Sequence, residues 1–540
     1  MFKNGLIIIL AGVFAVPAAF TQNIQVASDK TLGGVDIDYP SFIKHFSNGE
    51  FFIVGSSKSP VGFEKLLPSY GGEDYWFFRI NVDLQITSQF VFGGAQFDVA
   101  KDLIIKDDNI FICGNSGSGI SGNKSVPSLG SSLNSDFWLV KTDMSGNDVL
   151  QKVYGGSGDD NFTNMLNLNN DLILLGGFSD SDTSIYKTEM SKGLHDIWFI
   201  VIDSLGNKVW DKTLGGNQFE SNSFFTSDSQ GNILAAAQSN SGIGGDKTVP
   251  LFGDPNQSSD IWVVKLSPTG QKIWDIGLGG TAVEELPKII AHDGFYYMVC
   301  ASGSPVSGNK TAPNIGNDDI WVVKLDTAGN IIWDKTYGGT GADRFPRVSV
   351  NSLGQLVVVC TSGSGISGNK TEPSKGGSDY WVFALNAGGE IQWQKTIGGS
   401  GNDSPGCPVL ELPDNRYAVF GYSLSGISGD KTESNRGGGD IWGVILQTDL
   451  STSQTDWEAG VNLYPVPAQN QLTIDIKNTE QFSSPYTVSI LDVNGRPVIK
   501  QNHTSSSLTL DISGLNPGVY VILINTADGR QVSRKMVVNE

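Results

Sequence analysis

Residues 370–399 read Lys-Thr-Glu-Pro-Ser-Lys-Gly-Gly-Ser-Asp379-Tyr380-Trp381-Val-Phe-Ala-Leu, then Asn-Ala-Gly-Gly-Glu, then Ile391-Gln-Trp393-Gln-Lys-Thr-Ile-Gly398-Gly399. Two strand-like runs flank a Gly-rich turn, which is hairpin chemistry. The pattern is not local. Aligning the chain on the triplet ending in Trp381 finds Trp76, Trp138, Trp198, Trp262, Trp321, Trp381 and Trp442, in steps of 62, 60, 64, 59, 60 and 61 residues. Self-similarity at one period names an architecture before any residue chemistry is read.

Each unit opens after a Gly-Gly pair, beginning at Gly33, Gly93, Gly155, Gly215, Gly279, Gly338 and Gly398. In the unit opening at Gly338 the strand-like runs are 347–350, 356–361, 380–385 and 391–397, with no helix-period segment between them. Runs such as Ile320-Trp321-Val322-Val323 are apolar on both faces, as strands covered on both sides must be. Four such strands per unit predict an all-β chain built as a seven-bladed β-propeller. The last unit stops at Asp440-Ile-Trp442-Gly-Val-Ile-Leu446 without a Trp-Asp-Lys-Thr strand, while Ser28-Asp29-Lys30-Thr31-Leu32-Gly33-Gly34 stands alone at the other end. The N-terminal strand is therefore expected to complete the last blade and close the ring, removing two exposed sheet edges.

The ends of the chain read differently. Residues 1–22 carry Lys3, an apolar core over 6–16 and a small-residue exit at Ala18-Ala19, the pattern of a secretory signal peptide. That core is too short to span a membrane, and no later stretch qualifies. The propeller is expected over 23–450 and a polar linker over 451–460. A small C-terminal β-sandwich is expected over 461–540, with strands at 471–476, 487–491, 497–500, 507–512, 519–525 and 532–538 and turns at Asn494-Gly495 and Asp528-Gly529. A net charge of −20 argues against nucleic acid and anionic membranes as partners, because phosphate binding needs a basic footprint. Cys113, Cys300, Cys360 and Cys407 read as small buried hydrophobes rather than as a bridge or a metal site.

The most suggestive chemical feature is a carboxylate four residues after every Gly-Gly: Asp38, Asp98, Asp160, Glu220, Glu284, Asp343 and Asp403. This position opens the innermost strand, so the acids are expected as a ring near the mouth of the central channel. An oxygen-rich ring suits a hard cation such as Ca²⁺, although no cofactor is required. The alternative is that each acid caps the backbone of its own turn. A group needed in every unit serves the unit, whereas a ligand site breaks the symmetry. A recurring lysine, at Lys65, Lys124, Lys187, Lys247, Lys310, Lys370 and Lys431, is expected to meet the Asp that opens the Trp strand, and an exposed pair of that kind stabilises little.

Catalysis finds little support. The four histidines, His45, His195, His292 and His503, are scattered, and no catalytic motif of serine, zinc or thiol type is present. Seven near-equivalent acids offer no distinct acid and base. The Ser-Gly-Asn-Lys runs lack the strand–loop–helix setting that cradles phosphate. The tryptophans, including Trp210, Trp274, Trp333 and Trp393, read as packing between blades rather than as a sugar platform.

Two family resemblances follow from quoted segments. Tyr154-Gly-Gly-Ser-Gly-Asp-Asp160 and the run from Asp203 to Gly216 resemble the β-propeller repeat of exported bacterial proteins. The tail resembles the C-terminal sorting domain of type IX secretion substrates in Bacteroidota. The matching residues are Leu463-Tyr464-Pro465-Val466-Pro467-Ala468, the turn ending at Gly495, Leu515-Asn-Pro-Gly518-Val-Tyr520 and Arg534-Lys535. This resemblance implies a sorting signal read by the type IX machinery, removal of the tail, and release or attachment to surface lipopolysaccharide. The expected protein is exported, shown on the outer cell surface, and acts as a binding or adhesion module for a glycan or protein ligand. Its recognition face would carry the long loops 57–73, 116–135, 179–195, 240–259, 302–318, 362–378 and 423–439. The alternatives are a polysaccharide- or protein-degrading hydrolase or lyase, and a passive structural protein of the envelope.

Overall fold

The computed structural model describes residues 23–46, 49–131, 134–168, 171–412, 415–449, 461–476, 485–492, 496–526 and 531–539. The expected signal peptide, the linker 451–460, and the turns at Asn494-Gly495 and Asp528-Gly529 lie outside the described residues. The chain divides into two compact units, Met1–Thr448 and Asp449–Glu540. No α-helix occurs among the described residues, and so no helix long and apolar enough to cross a membrane.

In the unit opening at Gly338 the strands are Asp343–Val350, Leu356–Ser362, Asp379–Leu385 and Ile391–Ile397, paired antiparallel in chain order. The first begins at Asp343, earlier than the hydrophobic pattern predicts. Its register skips between Arg344 and Arg347, and Phe345 sits at φ 56°, so a bulge hides the alternation that reveals a strand. The same order of four strands repeats in the sheets opening at Asp38–His45, Asp98–Lys106, Asp160–Asn167, Glu220–Ser227 and Glu284–His292. A further sheet joins the two ends of the unit. There Asn23–Leu32 pairs with Asp440–Asp449, which pairs with Arg416–Ser423, which pairs in turn with Asp403–Pro405 and Leu410–Glu411.

The opening strands touch one another in sequence, and the last sheet returns to Asp38–His45 through Arg416–Ser423 and Leu410–Glu411. Third strands such as Asp379–Leu385 are buried along their whole length, because a sheet lies against each face. The apolar clusters accordingly span neighbouring sheets, and Phe51 and Trp76 share one with Phe420 and Ile441 where the last sheet meets the first. All seven aligned tryptophans are fully buried. The indoles of all but Trp138 are also anchored. Trp262 Nε1 donates to Asp275 at 3.0 Å and Trp321 Nε1 to Asp334 at 2.9 Å. Each of those aspartates, from the fourth strand, also accepts a loop N–H, from Thr248 and Thr311 at 2.9 Å. In the last sheet Asp29 does both jobs from the N-terminal strand, accepting Trp442 Nε1 at 2.9 Å and Thr432 N–H at 3.0 Å.

Of the outer tryptophans, Trp393 is buried with its ring 5.1 Å from Tyr417, and Trp210 is half-buried with its ring 5.5 Å from Phe199. All four cysteines are free and buried, and Cys300 and Cys360 face Trp321 and Trp381 at the same register. In the second unit Val461–Tyr464, Gln471–Ile476 and Ser507–Asp511 form one sheet, and Pro497–His503, Tyr486–Leu491, Gly518–Thr526 and Gln531–Val538 another. Leu472 and Ile474 of the first share an apolar cluster with Val488, Ile522 and Met536 of the second. The strand Val461–Tyr464 escapes the sequence pattern because only four residues precede the Pro465-Val-Pro467 break.

Candidate functional site

Each of the seven acids opens its sheet's first strand, as the spacing predicts, but its carboxylate turns back into its own Gly-Gly turn. Gly34, Gly94, Gly156, Gly216, Gly280, Gly339 and Gly399 donate their N–H to Asp38, Asp98, Asp160, Glu220, Glu284, Asp343 and Asp403 at 2.7–2.9 Å. Loop serines add a second donor, as Ser59 does to Asp38 at 2.7 Å and Ser364 to Asp343 at 2.8 Å. All seven acids are fully buried, so they sit inside the turns rather than along an open mouth. The glycines are required by space. A Cβ on Gly33 would stand 2.2 Å from Asp440 Oδ1, and one on Gly34 would stand 2.5 Å from Ser59 Cβ.

The recurring lysines are buried too, and here the expected Lys–Asp contact is corrected. Lys124 Nζ donates to Ser116 Oγ at 2.6 Å and to the Ser118 carbonyl at 2.5 Å, and Lys370 Nζ to the carbonyls of Ser364 and Glu372 at 2.9 Å. The aspartates are engaged elsewhere, for example Asp379 with Lys375 N–H at 2.7 Å. Lysine and acids therefore interact through space: Lys124 lies in the field of Asp98 and Asp136, and Lys370 in that of Asp379 and Asp343. An ammonium has three donors, and a ring of loop carbonyls and hydroxyls satisfies them better than one carboxylate. Burial dominates the titration. It pushes Asp160 and Asp260 up to about 7 and Asp74, Asp136 and Asp440 to about 6, and lowers Lys124 and Lys431 to about 8.

The loops framed by these corners expose apolar tips. Four residues before the lysine stand Val61, Ile120, Ile243, Val306, Ile366 and Ile427, each 56–68% exposed. The remaining unit has Thr183 there and exposes Ile185 instead, by 77%. Loops 116–135 and 240–259 are longer than their counterparts, and in the second Asn240, Pro255 and Gln257 help line a polar hollow of about 380 Å³ beside Phe219.

A larger cavity, of about 550 Å³, is lined by opening-strand residues of every sheet in the first unit. None of the seven acids reaches it. Its charged lining residues are Lys101, Asp102, Lys288 and Arg347. The sequence pattern did not single these out, although a signal was present. At the position equivalent to Lys288 and Arg347 the other five units carry Phe42, Asp102, Asn164, Phe224 and Cys407, so this position changes from unit to unit while the flanking pattern repeats. With one carboxylate in the lining, the cavity offers no acid–base pair for glycoside chemistry.

In the tail Ala468 is buried, donating to the Val537 carbonyl at 2.8 Å and accepting Asn539 N–H at 2.9 Å, while Tyr520 Oη donates to the Asn516 carbonyl at 2.9 Å. Tyr464, Pro465, Pro467, Gly518 and Lys535 are exposed, and Gly495 lies outside the described residues.

Among known proteins, residues 462–539 match the family described as the secretion system C-terminal sorting domain. That tail marks the chain for secretion and attachment to the outer cell surface through the type IX system. No curated protein matches the sequence. Solved structures similar to the chain include three of different kinds. The WD40 domain of Neurospora crassa Pan2 aligns with a TM-score of 0.41 at 10% identity, covering 79% of this chain and 98% of that one. BBS1N in complex with ARL6DN aligns at 0.43 and 8%, covering 80% and 98%. A thermostable family-43 glycoside hydrolase aligns at 0.30 and 14%, covering 55% and 92%.

Proposed function

We propose that this type IX-sorted protein, exported behind a signal peptide over 1–22 in a member of the Bacteroidota, is a seven-bladed β-propeller carrying a C-terminal sandwich. It works on the outer cell surface as a binding or adhesion module. The observation that carries this reading is the set of exposed aliphatic tips, Val61, Ile120, Ile243, Val306, Ile366 and Ile427, at one loop position of successive units. One exposed aliphatic tip recurs in each of these six units, and aliphatic tips suit a protein surface better than a sugar ring, which stacks on aromatic faces. The polar hollow at loop 240–259 supplies the asymmetry that a specific ligand needs.

The test is binding of the full chain to arrays of glycans and of extracellular proteins, with and without Ca²⁺. Retention on protein targets that is lost in the double variant Ile120→Asp/Ile366→Asp supports the reading. Equal retention by the variant, or turnover of a polysaccharide, rejects it. Ca²⁺-dependent melting would assign a cation to the oxygens left without hydrogen-bond partners, Oδ1 of Asp38, Asp160, Asp343 and Asp403.

A further inference from the structure

The central cavity belongs to neither the turns nor the loop tips, and its charge runs against that of the chain. In a protein of net charge −20 it gathers Lys101, Lys288 and Arg347. None of the three has a carboxylate within ion-pair distance among the described residues. Lys101 and Lys288 make no hydrogen bond there through Nζ, and Lys288 Nζ lies 4.5 Å from the centre of the Phe224 ring. Arg347 is held by carbonyls alone, donating Nε to Gly406 O and Nη1 to Pro346 O, both at 3.1 Å, which fixes the guanidinium and leaves Nη2 unengaged. The three positive charges act on one another: Lys288 is pushed down by burial, then by Arg347 and Lys101. Three like charges brought together without counter-charge oppose folding, and a chain retains such a cluster when something else supplies the missing negative charge.

Carboxylates nearby do not supply it. Asp102 is buried, accepts N–H from Leu103 at 2.7 Å and Met165 at 2.8 Å, and burial pushes it up to about 7 even with Lys44 drawing it down. Glu73 lies in the field of Lys101, but burial raises it to about 7, and its own contacts are Tyr39 and Lys58.

The backbone singles out the same part of the wall. In three consecutive units the one-residue register shift of the opening strand leaves two residues unpaired, between Ser221 and Phe224, Glu285 and Lys288, and Arg344 and Arg347. Inside each skip a non-glycine residue takes a left-handed conformation, Asn222 at φ 50°, Leu286 at 56° and Phe345 at 56°. Such conformations cost energy for residues with a Cβ, and bulges of this kind re-aim side chains. Here they end on Phe224, Lys288 and Arg347, all of which line the cavity. In the sheets opening at Asp38, Asp98 and Asp160 the same shift leaves one residue unpaired, as between Pro40 and Phe42, and none of the left-handed residues falls inside it.

We infer that the central cavity is a binding site for a small organic polyanion, one carrying two or three carboxylate, phosphate or sulfate groups on an apolar body. The volume of about 550 Å³ falls in the range of small-molecule sites. Phe162, Phe224, Leu286 and Phe345 meet the body of the ligand, and the cations meet its charges. Arg347 offers the planar donor edge that pairs with an oxyanion.

The probe is benzene-1,3,5-tricarboxylate, titrated calorimetrically into the full chain at fixed ionic strength, with inorganic phosphate and sulfate as parallel arms. Saturable binding at one site, weakened about tenfold or more in Lys288→Met and in Arg347→Met, is the expected result. Should either variant fail to fold, Lys101→Met carries the test, since its ammonium makes no hydrogen bond among the described residues. Binding by phosphate or sulfate in place of the tricarboxylate, with the same loss in the variants, supports the site and reads the ligand as one bearing a tetrahedral oxyanion. No saturation by any of the three, or equal affinity in wild type and variants, overturns the inference. Loss of loop-face adhesion has no bearing on this outcome, so the two readings fail separately.

Discussion

The corners under the loops and the wall of the central cavity both carry lysines, fully buried in the first and half-buried in the second, and they treat them in opposite ways. At a corner Lys124 has two oxygen acceptors and lies between Asp98 and Asp136. In the cavity Lys288 has an aromatic ring and two further cations. The corner recurs in every unit, and it sets each buried lysine in the field of two acids, as Lys370 is set in that of Asp379 and Asp343. The cavity wall differs from unit to unit, and its three cations have no carboxylate within ion-pair distance among the described residues. Features that serve the fold repeat with it, and features that serve a ligand depart from it.

That contrast is broken or sharpened by variants on each side. The largest effect is expected in the seam between sheets: Trp321→Ala should cost about 3–5 kcal/mol in denaturant unfolding, as for other buried large-to-small changes. A variant as stable as wild type would remove the account of the core. Asp29→Ala comes next. It leaves the Trp442 indole and the Thr432 amide without an acceptor, at a cost of about 1–3 kcal/mol. Asp334→Ala does the same to Trp321 and Thr311 inside an uninterrupted sheet, so similar losses would show that the borrowed strand is held as the others are. A negligible loss at Asp29 alone would show that the N-terminal strand is not needed.

The corners also set a pH dependence. Asp160 and Asp260 rise from 3.8 to about 7 on folding, so the unfolded chain releases their protons first, and stability falls from about pH 4 to pH 7. Lys124 and Lys431 drop from 10.5 to about 8, so stability recovers as pH rises from about 8 towards 10.5. Melting temperature plotted against pH should pass through a minimum near 7–8, made shallower on its acid side by Asp160→Asn. A profile rising steadily from pH 4 to 7 would contradict the buried acids. The smallest effect is at the loop tips, where Ile366→Asp should change stability by no more than about 0.5 kcal/mol while weakening adhesion.

How much of this was legible follows the same division. Trp76 through Trp442, the Gly-Gly pairs and the orphan strand at Asp29 are spaced by the repeat, and they give the sheets, their order and the closing pairing. The carboxylates at Asp38 through Asp403 were found at the right place on their strands. Their direction was not readable, because a rotamer choice decides whether such a group faces the channel or the turn, and the Gly N–H groups decided it. Lys101, Lys288 and Arg347 were passed over. They stand on strands far apart in sequence, converge only when the ring closes, and look like noise within a repeat. The bulges at Leu286 and Phe345, which aim two of them, leave no mark in the hydrophobic pattern.

The most direct measurement is a pair of melting curves at neutral pH in buffer free of polyvalent anions, one for Lys124→Met and one for Lys288→Met. The corner lysine holds its unit together, so Lys124→Met should lose about 3–5 kcal/mol, the cost of leaving buried charges unbalanced. The cavity lysine repels its neighbours, so Lys288→Met should melt at or above the wild-type temperature. A fall for Lys288→Met as large as that for Lys124→Met would contradict the account.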